Sequence, residues 1–69
     1  MSTISERLTA LRRERNLNQL IVADAIGTTR AAYAHYEQGI REPSIDLIKK
    51  LCLFYEVSAD YLIGLSDDY

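Results

Sequence analysis

The stretch 19-QLIVADAIGTTRAAYAHYEQ-38 sets two stubby segments on either side of one glycine, Gly27. Ala23 lies four residues before that glycine and Tyr33 six after it. This spacing is restrictive. A residue without bulk at 23 lets a second helix cross closely, and the chain reversal at 27 needs a positive φ, which is cheap only for glycine. Val22, Ile26, Tyr33 and Tyr36 then fall where side chains face a shared core. Each segment is about two turns long and too short to be stable alone. Together these are the physical requirements of a helix-turn-helix over about residues 19–38.

Punctuation elsewhere is sparse. Pro43 is the one proline, Gly27, Gly39 and Gly64 are the three glycines, and no long run alternates with a strand's period. The chain reads as all helix. Helix one is expected over about Ile4 to Arg15: Ile4, Leu8 and Leu11 repeat on one face, Thr3 or Ser5 can cap it, and arginines crowd its last turn. Asn16 is suited to the left-handed conformation that ends a helix. Asn18 caps helix two, which runs from Gln19 to Ala25 or Ile26, and Thr28 is the expected cap of helix three, which ends at Gly39. Ser44 precedes a fourth helix to about Tyr55, with Ile45, Ile48, Leu51, Cys52 and Tyr55 as its buried face. Ser58 caps a short fifth helix, 59-ADYLI-63, and residues 66–69 read as a frayed tail. The expectation is an all-α, five-helix single domain over residues 1–69.

Sixty-nine residues lie near the lower limit for a core that folds without staples, and 48% hydrophobic content suits a globular chain. The single cysteine, Cys52, allows no internal disulfide and reads as a structural thiol among apolar neighbours. No apolar run approaches a membrane span and no signal-peptide pattern opens the chain, which gives the expectation of a cytoplasmic protein. The net charge of −2 is unevenly spread. Residues 1–42 hold six arginines against five acids, whereas residues 43–69 hold two lysines against five acids. This balance permits a polyanionic partner without implying one, since local fields matter more than the total. One histidine and one cysteine, far apart, with no metal-ligand spacing, Gly-rich phosphate loop or paired carboxylates, argue against an enzyme, a cofactor or a metal.

Four segments, 11-LRRERNLNQ-19, 22-VADAIGTTRAAYAHYEQG-39, 42-EPSIDLIKKL-51 and 57-VSADYLIG-64, together resemble the lambda-repressor and Cro-like helix-turn-helix proteins, the Xre family. The resemblance covers about Ile4 to Gly64. It implies a five-helix lambda-repressor-like fold and a transcriptional regulator, most often a repressor. Such a protein reads an inverted-repeat operator in double-stranded DNA through the major groove, commonly as a homodimer. It puts Gln19 at a phosphate, and Thr28, Thr29, Arg30 and Ala31 on the first turn of the recognition helix. Ala34 and His35 share that face, leaving Arg30 to grip guanine, the alanines to touch thymine methyls and His35 to donate to a base or phosphate. Arg41, in the loop after the helix, is implied to hold the DNA backbone. Arg12 and Glu37 match an ion pair that bridges the first helix and the end of the recognition helix.

The sequence departs from the family's pattern at Leu20 and Ile21, usually polar, at Tyr33, usually aliphatic, and at Ile40, often basic. Leu20 and Ile21 have two readings: partial burial under the N-terminal arm, or a docking site for another protein. The second would suit an alternative function, a protein-interaction module on the same fold with weak or lost DNA binding. Leu62, Ile63 and Leu65 can form a dimer patch or simply cap the core.

Overall fold

The computed structural model describes residues 3–69. Five helices follow one another: α1 (Thr3–Glu14), α2 (Gln19–Ile26), α3 (Arg30–Gln38), α4 (Ile45–Tyr55) and α5 (Ala59–Ile63). No described residue lies in a strand. Asn18, Thr29, Ser44 and Ser58 each stand in an extended conformation before α2 to α5. Their side-chain oxygens accept the N–H groups of Ile21, Ala32, Leu47 and Tyr61 at 2.9, 3.1, 3.2 and 3.0 Å. Each such cap stabilises its helix by about 1 kcal/mol, which matters for helices this short.

Two caps differ from expectation. Thr29, not Thr28, caps α3: its hydroxyl accepts the Ala32 N–H, while Thr28 belongs to the end of α2, its N–H bonded to the Ala23 carbonyl at 2.9 Å. The cap is displaced by one residue and Arg30 becomes the first helical position. At the start of the chain, α1 already includes Thr3 and Ser5, so neither flanks it, and Ser5 is 8% exposed inside the helix.

One core joins all five helices: Leu8 and Leu11 of α1, Val22, Ala23 and Ile26 of α2, Tyr33 and Tyr36 of α3, Leu51 and Tyr55 of α4, then Val57 and Leu62. Truncating a fully buried leucine here to alanine removes about 2–5 kcal/mol, a large share of what so small a domain holds. The expected buried face of α4 loses Ile45, which is 73% exposed as the first residue after its cap, and Leu47 packs on the core instead. Helix α3 rests on α1 and α2, α2 also meets α4, and α5 closes the far side against α1 and α4. Gly27 reverses the chain at φ 76°. Asn16 takes the left-handed conformation after α1, with φ 55°.

The segment 66–69 is not a free tail. Arg7 donates to the Ser66 carbonyl at 2.6 Å and to Asp67 at 2.9 Å, and its guanidinium lies over the Tyr61 ring. Tyr69 stacks edge-on against Tyr61, and its hydroxyl donates to the Glu14 carboxylate. Fraying was the expectation for a chain end, and here aromatic and guanidinium partners supplied by α1 and α5 contact the segment.

Candidate functional site

Helix α3 has two unlike sides. Its inner side carries Tyr33 and Tyr36, fully or almost fully buried. Its outer side begins with Arg30 and Ala31, both exposed, and continues through Ala34 and His35, both half-buried on the shoulder of that face. Thr29 is exposed at the cap, and Thr28 is half-buried in the turn. Arg41, exposed, follows in the loop, where its N–H and that of Ile40 reach the His35 carbonyl. Neither Arg30 nor Arg41 has an ion-pair or hydrogen-bond partner for its side chain among the described residues, whereas Arg7, Arg12 and Arg15 all do.

Neither α2 nor α3 has an acidic residue in its first turn, although α1, α4 and α5 carry Glu6, Asp46 and Asp60 there. The positive ends of the two middle helices are therefore not neutralised from within, and Arg30 adds a full charge to one of them.

Beneath this face lies a clamp. Arg12 Nε and Nη2 donate to the two oxygens of Glu37 at 2.7 and 2.9 Å, and the side chains are 15% and 5% exposed. Arg12 also donates to the Leu17 carbonyl at 3.0 Å. Gln19 Nε2 approaches Glu37 Oε1 at 3.3 Å, so the first residue of α2 is tied to the C-terminal half of α3. Burial works to raise the Glu37 pKa, but hydrogen bonds from Arg12, Tyr33 and Gln19 outweigh it and hold the carboxyl below the ordinary glutamate range. The same bond to Glu37 raises Arg12. The clamp ties the C-terminal half of α3 to α1 and to the start of α2.

Sequence reasoning passed over two features. The Tyr33 and Tyr55 hydroxyls meet at 2.8 Å inside the core, a contact between residues 22 apart that no local pattern signals. Lys50, from α4, brings its amine to 3.9 Å from where a Cβ on Gly27 would stand, beside the turn that introduces α3. Other expectations are sorted by exposure. Leu20 and Ile21 are 51% and 49% exposed, and residues 1 and 2 of the arm expected over them lie outside the described residues. Leu62 is fully buried and caps the core, whereas Ile63 and Leu65 are exposed. Cys52 is half-buried, and burial pushes its thiol pKa up, away from reactivity. No helix among the described residues is long and apolar enough to cross a membrane, and no group of His, Cys, Asp and Glu there could hold a metal ion.

A family profile described as helix-turn-helix matches residues 8–62, which takes in the capped pair of helices and the core that supports it. The chain belongs to the helix-turn-helix family. An uncharacterized HTH-type transcriptional regulator of Bacillus subtilis (strain 168), YobD, is 36% identical over 63 residues, 91% of this chain and 56% of its own length. The cryptic phage CTXphi transcriptional repressor RstR of Vibrio cholerae is 38% identical over 63 residues, 91% of this chain and 57% of its own. The chain thus spans about half the length of these curated relatives. The solution structure of the DNA-binding domain of the P22 c2 repressor superposes with a TM-score of 0.84 at 26% identity, covering 100% of this chain and 96% of that one. A crystal structure of the P22 c2 repressor with a synthetic operator gives 0.86 at 24% identity over 91% of this chain and 96% of that one, a likeness of fold. The relatives are named as transcriptional regulators rather than enzymes, in agreement with the expectation of no catalytic activity.

Proposed function

We propose that this helix-turn-helix protein is a sequence-specific, double-stranded-DNA-binding transcriptional repressor that reads an inverted-repeat operator with α3 in the major groove. The observation that carries the reading is the outer face of α3, which opens on an unpaired guanidinium, Arg30, and continues through the small Ala31 and Ala34 to His35. A nine-residue helix is about 13 Å long and, with its side chains, about as wide as the major groove. Ala31 and Ala34 let it sit deep against thymine methyls, and Arg30 can hold guanine O6 and N7 with two hydrogen bonds. His35 supplies a donor farther along, while Thr28 and Thr29 stand at the helix entry.

Phosphate contacts would flank this reading face. Gln19, the first residue of α2, reaches one strand from the positive end of that helix, and Arg41 reaches the backbone from the loop. The longest extent of the domain is 28 Å, less than the roughly 34 Å between half-sites one helical turn apart, so two copies fit side by side as a homodimer on DNA. A protein acting this way resides with the chromosome in the cytoplasm. The relative named a transcriptional repressor supports the sign of regulation.

Selection from random duplexes, followed by binding of variants to the selected pool, tests the assignment. Arg30→Ala should relax preference at one position per half-site and cost about 1–3 kcal/mol. Arg41→Ala should weaken all sequences alike. Identical behaviour of the two variants across the pool would sink the direct-readout roles. A second reading, a protein-docking module, is favoured by the exposure of Leu20 and Ile21. It predicts that the wild-type chain selects no duplex from the pool and that charged substitutions at both positions abolish a protein interaction.

A further inference from the structure

Residues 43–69 are the acidic part of the chain, with two lysines, Lys49 and Lys50, against five acids. Neither lysine pairs with any of them: the three ion pairs among the described residues belong to Arg7, Arg12 and Arg15. Lys50 reaches the helix-turn-helix instead. Its amine comes to 3.9 Å from where a Cβ on Gly27 would stand, at the reversal between α2 and α3. Thr28 and Thr29 follow Gly27, and Arg30 then opens α3, so this ammonium flanks the entry of that helix.

Packing alone leaves the amine unused. A cation can offset the negative end of a helix, and α2 has no basic residue in its own last turn. The Ala23 and Asp24 carbonyls there, however, already accept the Thr28 and Gly27 N–H groups at 2.9 and 3.2 Å. Asp24, the one acid of α2, makes no ion pair with Lys50, and Lys50 has no hydrogen-bond partner among the described residues. An ammonium carries three donors and no acceptor, so all three stay open to an outside group. The surroundings favour an anion. The first turn of α3 holds no acid and does hold Arg30, so its positive end and two free cations gather around one turn.

We infer that Lys50 is a further phosphate ligand for DNA: from α4, outside the helix-turn-helix, it holds the backbone of the strand that passes the α2–α3 turn. The inference rests on the reading of α3 as the DNA-contacting helix. With α3 in a groove about 12 Å wide, bordered on both sides by phosphates, an ammonium beside the helix entry meets a rim rather than a base edge. A compact charge with rotatable donors suits a lone phosphate oxygen, whereas a guanidinium fork suits a guanine edge. Lys50 therefore adds affinity for every sequence and no preference among them.

Fluorescence anisotropy tests this, with the duplex selected from a random pool and a scrambled duplex of equal length, at salt between about 50 and about 200 mM. The variants are Lys50→Gln, Lys50→Arg and Lys49→Gln, each measured at a temperature where circular dichroism shows it folded. Lys50→Gln should flatten the fall of log affinity with log salt by about 0.9 per bound copy, so that the wild-type advantage shrinks about threefold across that range. It should weaken both duplexes by the same factor. Lys50→Arg should keep the wild-type slope. Lys49→Gln, which takes the same charge from the neighbouring position of α4, should change it less. Ethylation interference locates the contact: one phosphate per half-site whose ethylation hinders wild type should not hinder Lys50→Gln. A wild type that discriminates between the duplexes, while Lys50→Gln keeps its slope and every hindering phosphate, overturns this role alone. Equal slope changes for Lys49→Gln and Lys50→Gln also overturn it, since the charge then acts through the general field. A loss confined to urea stability overturns it in favour of a cap on α2. A wild type that prefers neither duplex overturns the DNA reading and this role with it.

Discussion

Two arginines of α1 each close on a carboxylate, in opposite surroundings. Arg12 meets Glu37 with both partners largely buried, the carboxylate 5% exposed and held by two hydrogen bonds from the same guanidinium. Arg7 meets Asp67 through one hydrogen bond, and that carboxylate is 98% exposed. The Arg7 guanidinium is nonetheless well held, by the carbonyls of Tyr61 and Ser66 at 2.7 and 2.6 Å and by the Tyr61 ring. In the first pair the acid is structural. In the second it is an accessory to a cation that the backbone already satisfies. The distance between charges is similar, and what surrounds them decides the consequence of breaking each.

The largest effect is expected at the buried pair. Glu37→Ala leaves the Arg12 charge with the Leu17 carbonyl as its remaining partner and takes the acceptor from Thr9 and Gln19. The expected loss is about 3–5 kcal/mol in urea unfolding, most of what a domain of this size possesses. Replacing both partners, Arg12→Met with Glu37→Met, should recover part of that loss, because no charge is then stranded. If the double replacement is worse than Glu37→Ala, the pair contributes attraction well beyond mutual neutralisation.

The pair should also appear in the acid limb of stability. Glu37 is held below the ordinary glutamate value of 4.5, although its burial alone would raise it, because Arg12, Tyr33 and Gln19 donate to the ionised form. A carboxyl depressed in the folded state binds protons more readily when unfolded. Its stabilisation is therefore complete above the unfolded pKa and declines as pH falls through the folded one. The stability difference between wild type and Glu37→Gln should be constant near neutrality and shrink below about 4.5. A difference that persists unchanged to the acid end would mean that the ionised form of Glu37 is not what stabilises the fold.

The buried and exposed pairs also differ in how far sequence could anticipate them. Helix boundaries were legible because Asn18, Ser44 and Ser58 are short-range signals, acting within three residues of themselves. Thr28 misled because two threonines in succession offer equal caps, and the sequence does not say where the turn after α2 ends. The Arg12–Glu37 contact came from resemblance to a family, not from any pattern in the chain. The Tyr33–Tyr55 contact and the anchoring of residues 66–69 by Arg7, Arg15 and Glu14 are long-range pairings of side chains whose composition suggests only core or solvent. The outward residues, Arg30 on α3 and Arg41 in the loop after it, are a case between: the exposure of Arg30 follows from the period of its helix, while no partner within the fold marks either side chain.

The smallest effect belongs to the exposed pair, and it gives the comparison its sharpest test. Asp67→Asn removes the charge from a carboxylate that water already solvates, while Arg7 keeps its two backbone carbonyls and its aromatic face. Exposed ion pairs of this kind contribute about 0–1 kcal/mol, and raising salt should shrink even that difference. Arg7→Ala, in contrast, removes the shared donor that ties Tyr61 and Ser66 to α1, and should cost clearly more than Asp67→Asn. A cycle combining the two substitutions isolates the ionic part. Equal losses for Arg7→Ala and Asp67→Asn would show that the ion pair, not the backbone contacts, fastens this segment, and the contrast with Arg12 and Glu37 would vanish.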